Sequence, residues 1–159
     1  MTDSWQCNGV SIVIPTYKRP NDILRALKSI ESQAIEQPLC EIVVVDNDPK
    51  HSAKTAVDNF IHQSPATITF VHEPNPGVSN ARNTALKHAR GRFIAFLDDD
   101  MEARSGWLAA LLKASKDNQA GLVFGPVEAV MPDPEKPIYA FMSGAFDRIP
   151  YDENGYIEK

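Results

Sequence analysis

The strongest constraint on this chain is a regular alternation. Short apolar runs, rich in β-branched and aromatic residues, take turns with amphipathic stretches of helical period. The runs are Val10–Pro15 (VSIVIP), Glu41–Asp46 (EIVVVD), Thr67–His72 (TITFVH), Arg92–Leu97 (RFIAFL) and Gly121–Val130 (GLVFGPVEAV). Their length and composition predict strands. The second and fourth are continuous rather than alternating, which predicts strands covered on both faces. Between them, Pro20 stands where a first helical residue would, and Ile23, Leu24, Leu27 and Ile30 share a stripe. Ser52–His62, Val78–Ala89 and Trp107–Ser115 read as further helices. Alternating strands and helices predict an α/β fold with a mainly parallel sheet and helices on both faces.

Composition removes several classes. At 159 residues the chain is the size of one domain, at roughly 150 residues per domain. Sixteen basic against 21 acidic residues give a net charge of −5, so no broad basic field exists to hold nucleic acid. No apolar run approaches the roughly 18 residues that span a bilayer, so no transmembrane segment is expected. The first ten residues carry no charged region followed by an apolar one, so no secretory signal is visible. Two cysteines, Cys7 and Cys40, make no disulfide scaffold and read as free thiols in a reducing compartment. Four of the 12 prolines fall between Met131 and Pro150. The expected organisation is a tail over residues 1–9, one domain over 10–130, and a proline-rich linker over 131–159.

In open α/β sheets, ligands bind beyond the carboxyl ends of the strands. Four polar groups follow the strands: Pro15-Thr16-Tyr17-Lys18-Arg19, Asp46-Asn47-Asp48, Asn75 to Asn83, and Asp98-Asp99-Asp100. A parallel sheet would bring all four to one edge. Three adjacent carboxylates repel one another, and a cation relieves that repulsion. Hard oxygen donors suit Mg²⁺ or Mn²⁺, often shared with substrate phosphates. On an extended strand end, Asp98 and Asp100 would point one way and Asp99 the other. Asp46 fits two readings equally, a nucleoside-recognising carboxylate and a strand-ending turn residue. Arg82 fits a base or phosphate contact, or a solvated helix face. Lys18 and Arg19 fit a diphosphate contact or, more simply, a basic loop. There is no G-x-G-x-x-G and no G-x-x-x-x-G-K-[ST]. Gly77-Val78-Ser79-Asn80-Ala81 lacks the last glycine of a nucleophile elbow. His51, His62, His72 and His88 show no zinc spacing.

SIVIPTYKRP, EIVVVDN, NPGVSNARN and GRFIAFLDDD followed by Trp107-Leu108 occur in an order and spacing that resemble the amino-terminal part of a family 2 glycosyltransferase. The resemblance implies a GT-A type, Rossmann-like domain that binds a nucleotide-diphospho-sugar, with UDP as the usual carrier. Pro15 and Thr16 would line the nucleotide pocket, and Asp46 would recognise the base. Arg82 would lie against base or phosphates, and Asp98 and Asp99 near the ribose. Asp100 would coordinate Mn²⁺ or Mg²⁺ as the last residue of a D-x-D motif. The reaction implied is transfer of the sugar to an acceptor (saccharide, lipid or protein) with inversion. Two departures stand out. Asp46-Asn47-Asp48-Pro49 replaces the common Asp-Asp-Gly-Ser, which weakens any role for Asn47 and Asp48. The family's catalytic base comes later in the chain than Lys159, and Asp147, Asp152 and Glu153 match no motif. The chain then carries the donor-binding part without the base, and residues 131–159 would begin the acceptor-binding part. A cytoplasmic location follows from the missing signal and from where nucleotide sugars are made, with peripheral membrane contact left open. A non-catalytic nucleotide-binding module is the alternative. A haloacid dehalogenase type phosphatase fits poorly, because its acidic motif follows the first strand and the triplet here follows the fourth.

Overall fold

The computed structural model describes residues 7–36 and 39–130. Four strands and four helices alternate: β1 (Cys7–Thr16), α1 (Pro20–Glu36), β2 (Leu39–Asp46), α2 (Lys54–Ile61), β3 (Ile68–His72), α3 (Val78–His88), β4 (Gly91–Phe96) and α4 (Trp107–Asp117). The sheet order is β3-β2-β1-β4, and every pair is parallel. The chain winds outward from β1 to β3 and then returns to place β4 beside β1. Right-handed crossovers therefore set α1 and α2 on one face and α3 on the other. The α/β expectation, with GT-A type order, describes this sheet.

The two central strands, β1 and β2, are buried on both faces, as the continuous run of β2 predicts. Ile12, Val13, Ile14, Val43, Val44 and Val45 are all fully buried, because helices cover both sheet faces. Val13, Val43 and Val45 share a face with Ala81 and Ala85 of α3, and Val71 and Ile94 flank that cluster. Small alanines let the helix approach closely. On α1, Ile23, Leu27 and Ile30 are buried, as the spacing predicts, while Leu24 is half-buried and Ala26 joins the core instead. Ser29 Oγ accepts from the Ala103 N–H at 2.9 Å, and Gln33 Oε1 accepts from the Leu108 N–H at 2.9 Å. These two bonds tie α1 to the segment that follows β4.

The end of the sheet away from the polar groups is held by a buried carboxylate. Glu41 is 1% exposed. It accepts from the Arg90 N–H at 2.7 Å, Arg90 Nε at 2.9 Å and Ser11 Oγ at 3.0 Å. Gly91 begins β4 here because a Cβ at that position would lie 2.5 Å from the Ser11 backbone nitrogen.

Three expectations need correction. Cys7 and Cys40 form a disulfide, with Cα atoms 6.1 Å apart. They lie near the starts of neighbouring strands, a closeness that depends on register and not on their separation in sequence. β4 is not covered on both faces: among the described residues it is an edge of the sheet, and Phe93 and Phe96 are exposed. Residues 121–130 form no strand, with only a single bridge position at Val127. Gly121, Gly125 and Pro126 weaken and interrupt strand pairing there.

Residues up to Leu108 belong to one compact unit, and a second begins at Ala109. In the second, Ser115 closes the end of α4 by donating to the Ala120 carbonyl at 2.9 Å. Of the expected tail over residues 1–9, Cys7 to Gly9 lie in β1, while residues 1–6 and the expected linker over residues 131–159 lie outside the described residues.

Candidate functional site

The strand register builds the site. Thr16 pairs with Asp46, and Asp46 with His72, so the carboxyl ends of β1, β2 and β3 finish level. Beside β1, β4 ends at Phe96, and Asp98 to Asp100 follow immediately. The winding reverses between β1 and β4. That makes the β1/β4 edge the topological switch point, where open α/β sheets bind ligands.

Asp98, Asp99 and Asp100 do not continue the strand. The Met101 N–H donates to the Asp98 carbonyl at 3.1 Å, so the triplet sits in a turn. The turn replaces the strand-like alternation expected of these side chains. Asp98 accepts from Arg82 Nη2 at 2.9 Å. Asp99 is buried and accepts from Thr16 Oγ1 at 2.8 Å and Arg19 Nη1 at 3.1 Å. Asp100 is half exposed and accepts from the same Arg19 nitrogen at 2.6 Å. Hydrogen bonds from Arg19 to Asp100 and Asp99 raise the guanidinium pKa above its ordinary value. Mutual repulsion of the three carboxylates is thus relieved by two arginines. The sequence reading left Arg19 between a diphosphate contact and a basic loop, and here it bridges two of the three aspartates across 80 and 81 positions.

Asp46 is fully buried. Its Oδ1 accepts from the Asp48 N–H and its Oδ2 from the Ala53 N–H, each at 2.9 Å. Of the two readings open to it, this is the geometry of the turn former. It closes the β2 turn and fixes the approach to α2. The carboxylate supports the wall of the crevice and is turned away from solvent.

Asn47 carries more of the edge than its departure from the family pattern suggests. Its Nδ2 donates to the carbonyls of Glu73 at 2.8 Å and Asn75 at 2.7 Å. Its Oδ1 accepts from the Gly77 N–H at 2.8 Å. One amide therefore holds the loop that starts α3. Gly77 has φ +126°, a conformation that side-chain-bearing residues rarely adopt. Glu73 braces the same loop by accepting from Thr84 Oγ1 and from the Asn75 N–H and Nδ2. These bonds hold the Glu73 carboxyl below its ordinary pKa, with the Thr84 bond the largest cause. The result is a fixed helix start, with its positive dipole end at this edge. Arg82 lies one turn into α3, also 5.9 Å over the Phe96 ring. Pro15, by contrast, is buried within β1.

Among the described residues, no three His, Cys, Asp or Glu side chains are grouped to cage a metal ion. That suits a cation held jointly with a ligand. Mg²⁺-type sites use one or two carboxylates and take the remaining oxygens from phosphates and water. Asp100, half exposed at the switch point, has the accessibility such a carboxylate needs, so the donor set is compatible with Mn²⁺ or Mg²⁺ shared with a diphosphate.

Comparison with known proteins agrees with this fold. The chain is 36% identical over 121 residues to the succinoglycan biosynthesis protein ExoM of Rhizobium meliloti, covering 76% of this chain and 39% of ExoM. It thus spans about two fifths of that relative's length. Among solved structures, the mannosyltransferase PcManGT of Pyrobaculum calidifontis, in complex with GDP-Man and Mn²⁺, superposes with a TM-score of 0.56 at 26% identity. That match covers 84% of this chain and 41% of the other. TarS 1–349 of S. aureus in complex with UDP gives a TM-score of 0.59 at 24% identity over 70% of this chain and 33% of TarS, a likeness of fold. The glycosyl transferase family 2 pattern itself runs over residues 11–151, through every strand and the whole edge just described, and the chain belongs to that family.

Proposed function

We propose that this chain binds a nucleoside diphosphate sugar, with Mn²⁺ or Mg²⁺, at the β1/β4 edge, and forms the donor-binding part of an inverting glycosyltransferase. The observation that carries the proposal is the cluster of Thr16, Arg19, Asp99 and Asp100 at the switch point, in a chain of this family. Support for metal use comes from the PcManGT complex with GDP-Man and Mn²⁺. Pro15 and Thr16 form the floor at the end of β1. Asp46 and Asn47 set the turns that shape the base side. Arg82 stands where it can meet base or phosphate, and Asp98 and Asp99 line the ribose side. Asp100 would hold the cation.

When bound, the cation supplies Lewis-acid stabilisation to the leaving nucleoside diphosphate. The protein's own residues fix the geometry around it. Thr16 orients the Asp99 turn, and Arg82 places a fixed positive charge beside it. Charges held in place before the reaction favour a transition state in which charge moves onto the leaving group. The helix start at Gly77 adds backbone N–H dipoles that need no reorganisation. No carboxylate among the described residues is assigned as the acceptor's base, and Asp147, Asp152 and Glu153 lie outside them.

Titration calorimetry with UDP, GDP and dTDP, with and without Mn²⁺, tests the reading. One nucleotide should bind only when the metal is present, with UDP the first candidate, and Asp100→Ala should remove that binding. Metal-independent binding that survives the substitution would overturn the reading. Sugar transfer by this chain alone would show that the base is present after all.

A further inference from the structure

We infer that Arg19 is a placeholder cation: it holds the Asp100 carboxylate until a metal-bound diphosphate arrives, then exchanges that carboxylate for phosphate oxygens. The inference rests on the donor site proposed above. Three features of the cluster carry it.

First, the bonding is uneven. Asp99 is buried and has a second partner in Thr16 Oγ1 at 2.8 Å, so it stays in place if Arg19 leaves. Asp100 is half exposed and, among the described residues, bonds only to Arg19 Nη1 at 2.6 Å. Arg19 is itself half exposed, in the short loop between β1 and α1. Lys18, next to it, takes a φ of +59°, which marks a tight turn. The guanidinium can therefore swing without disturbing the sheet.

Second, the charge balance favours paired entry. Three carboxylates face the two guanidiniums of Arg19 and Arg82, which leaves the cluster with one net negative charge. A divalent cation alone would reverse that sign beside Arg19. A divalent cation carrying the two negative charges of a diphosphate diester leaves the sign unchanged.

Third, the exchange suits the chemistry of each partner. A guanidinium fork matches phosphate oxygens better than one oxygen of a single carboxylate. A hard dication prefers the freed carboxylate. Metal and nucleotide then help each other to bind, and by linkage each raises the affinity of the other equally.

The test compares the full chain with Arg19→Ala and Arg19→Lys. Free Mn²⁺ is followed by electron paramagnetic resonance with no nucleotide present. Calorimetry then measures UDP and GDP at saturating Mn²⁺. Arg19→Ala should bind Mn²⁺ alone roughly three- to tenfold more tightly, the scale of one exposed ion pair plus one repelling charge. The same variant should bind the nucleotide more weakly with metal present. Arg19→Lys, which keeps the charge, should restore the low affinity for metal alone. Unaltered circular dichroism is expected for both, since Arg19 lies outside the core. A purely structural role could not raise one affinity while lowering the other. Nucleotide binding with an unchanged or weakened Mn²⁺ affinity in Arg19→Ala would overturn the placeholder role and leave the donor site standing. Absence of metal-dependent nucleotide binding in every form would overturn both.

Discussion

Asp46→Asn separates a residue that shapes the crevice from one that touches its ligand. The substitution keeps size and shape. It leaves one acceptor oxygen where two now serve the Asp48 and Ala53 N–H groups, each at 2.9 Å. Whichever way the amide turns, its NH₂ faces one backbone N–H in a fully buried position. A hydrogen bond to a charged acceptor contributes about 1.5–3 kcal/mol, and an orphaned buried donor costs about 1–3 kcal/mol. Partial relaxation of the turn offsets some of this. The expected loss is therefore about 3 kcal/mol, or roughly 9 °C in Tm for a chain of this length. Urea denaturation followed by far-UV circular dichroism measures the loss. Calorimetry at 15 °C, where the variant stays folded, measures its nucleotide affinity. Stability should fall while affinity changes little. Unchanged stability, or a large affinity loss in a fully stable protein, would refute the inward role and return Asp46 to base recognition.

Other consequences follow from the same bonds. Removing the disulfide by Cys7→Ser, or reducing it in the parent, should lower stability by about 3–4 kcal/mol, the chain-entropy estimate for a 33-residue separation. Matched Tm shifts from both treatments, with intact mass before and after alkylation, check this. For Glu73, the native pKa is depressed, so its stabilising effect is full above its unfolded value near about 4.3. That contribution is lost as pH falls through the native value. Thr84→Val removes the largest cause of the shift and should flatten the acid side of the stability curve between about pH 2 and 5, read as Tm against pH.

Most of the sheet was legible, and the reason is local. β2 is buried on both faces, so burial wrote itself as an unbroken β-branched run. On α1, Ile23, Leu27 and Ile30 of the helical stripe do lie in the core. The edge character of β4 was hidden, because Arg92 to Leu97 looks the same whether or not a further strand covers it. Residues 121–130 misled for a related reason: apolar content outweighed the glycines and Pro126. The site was legible as residue types at strand ends. Its wiring was not. Arg19 meets Asp100 only because β4 returns to lie beside β1. Asn47 looked expendable against the family pattern, yet its amide fixes the start of α3. The disulfide depended on which residues of β1 and β2 lie level, and no spacing rule supplies that.

The most direct test of the central claim is where the metal–nucleotide complex sits. ¹⁵N-labelled chain with UDP or GDP and substoichiometric Mn²⁺ gives amide spectra in which the paramagnetic ion broadens its neighbours. The account predicts the strongest broadening at Thr16 to Arg19 and Asp98 to Asp100. The amides of Glu41 and Arg90 to Arg92, at the far end of the same strands, should stay sharp. Broadening centred on that far end, or spread evenly over the acidic surface, would contradict a donor site at the β1/β4 switch point.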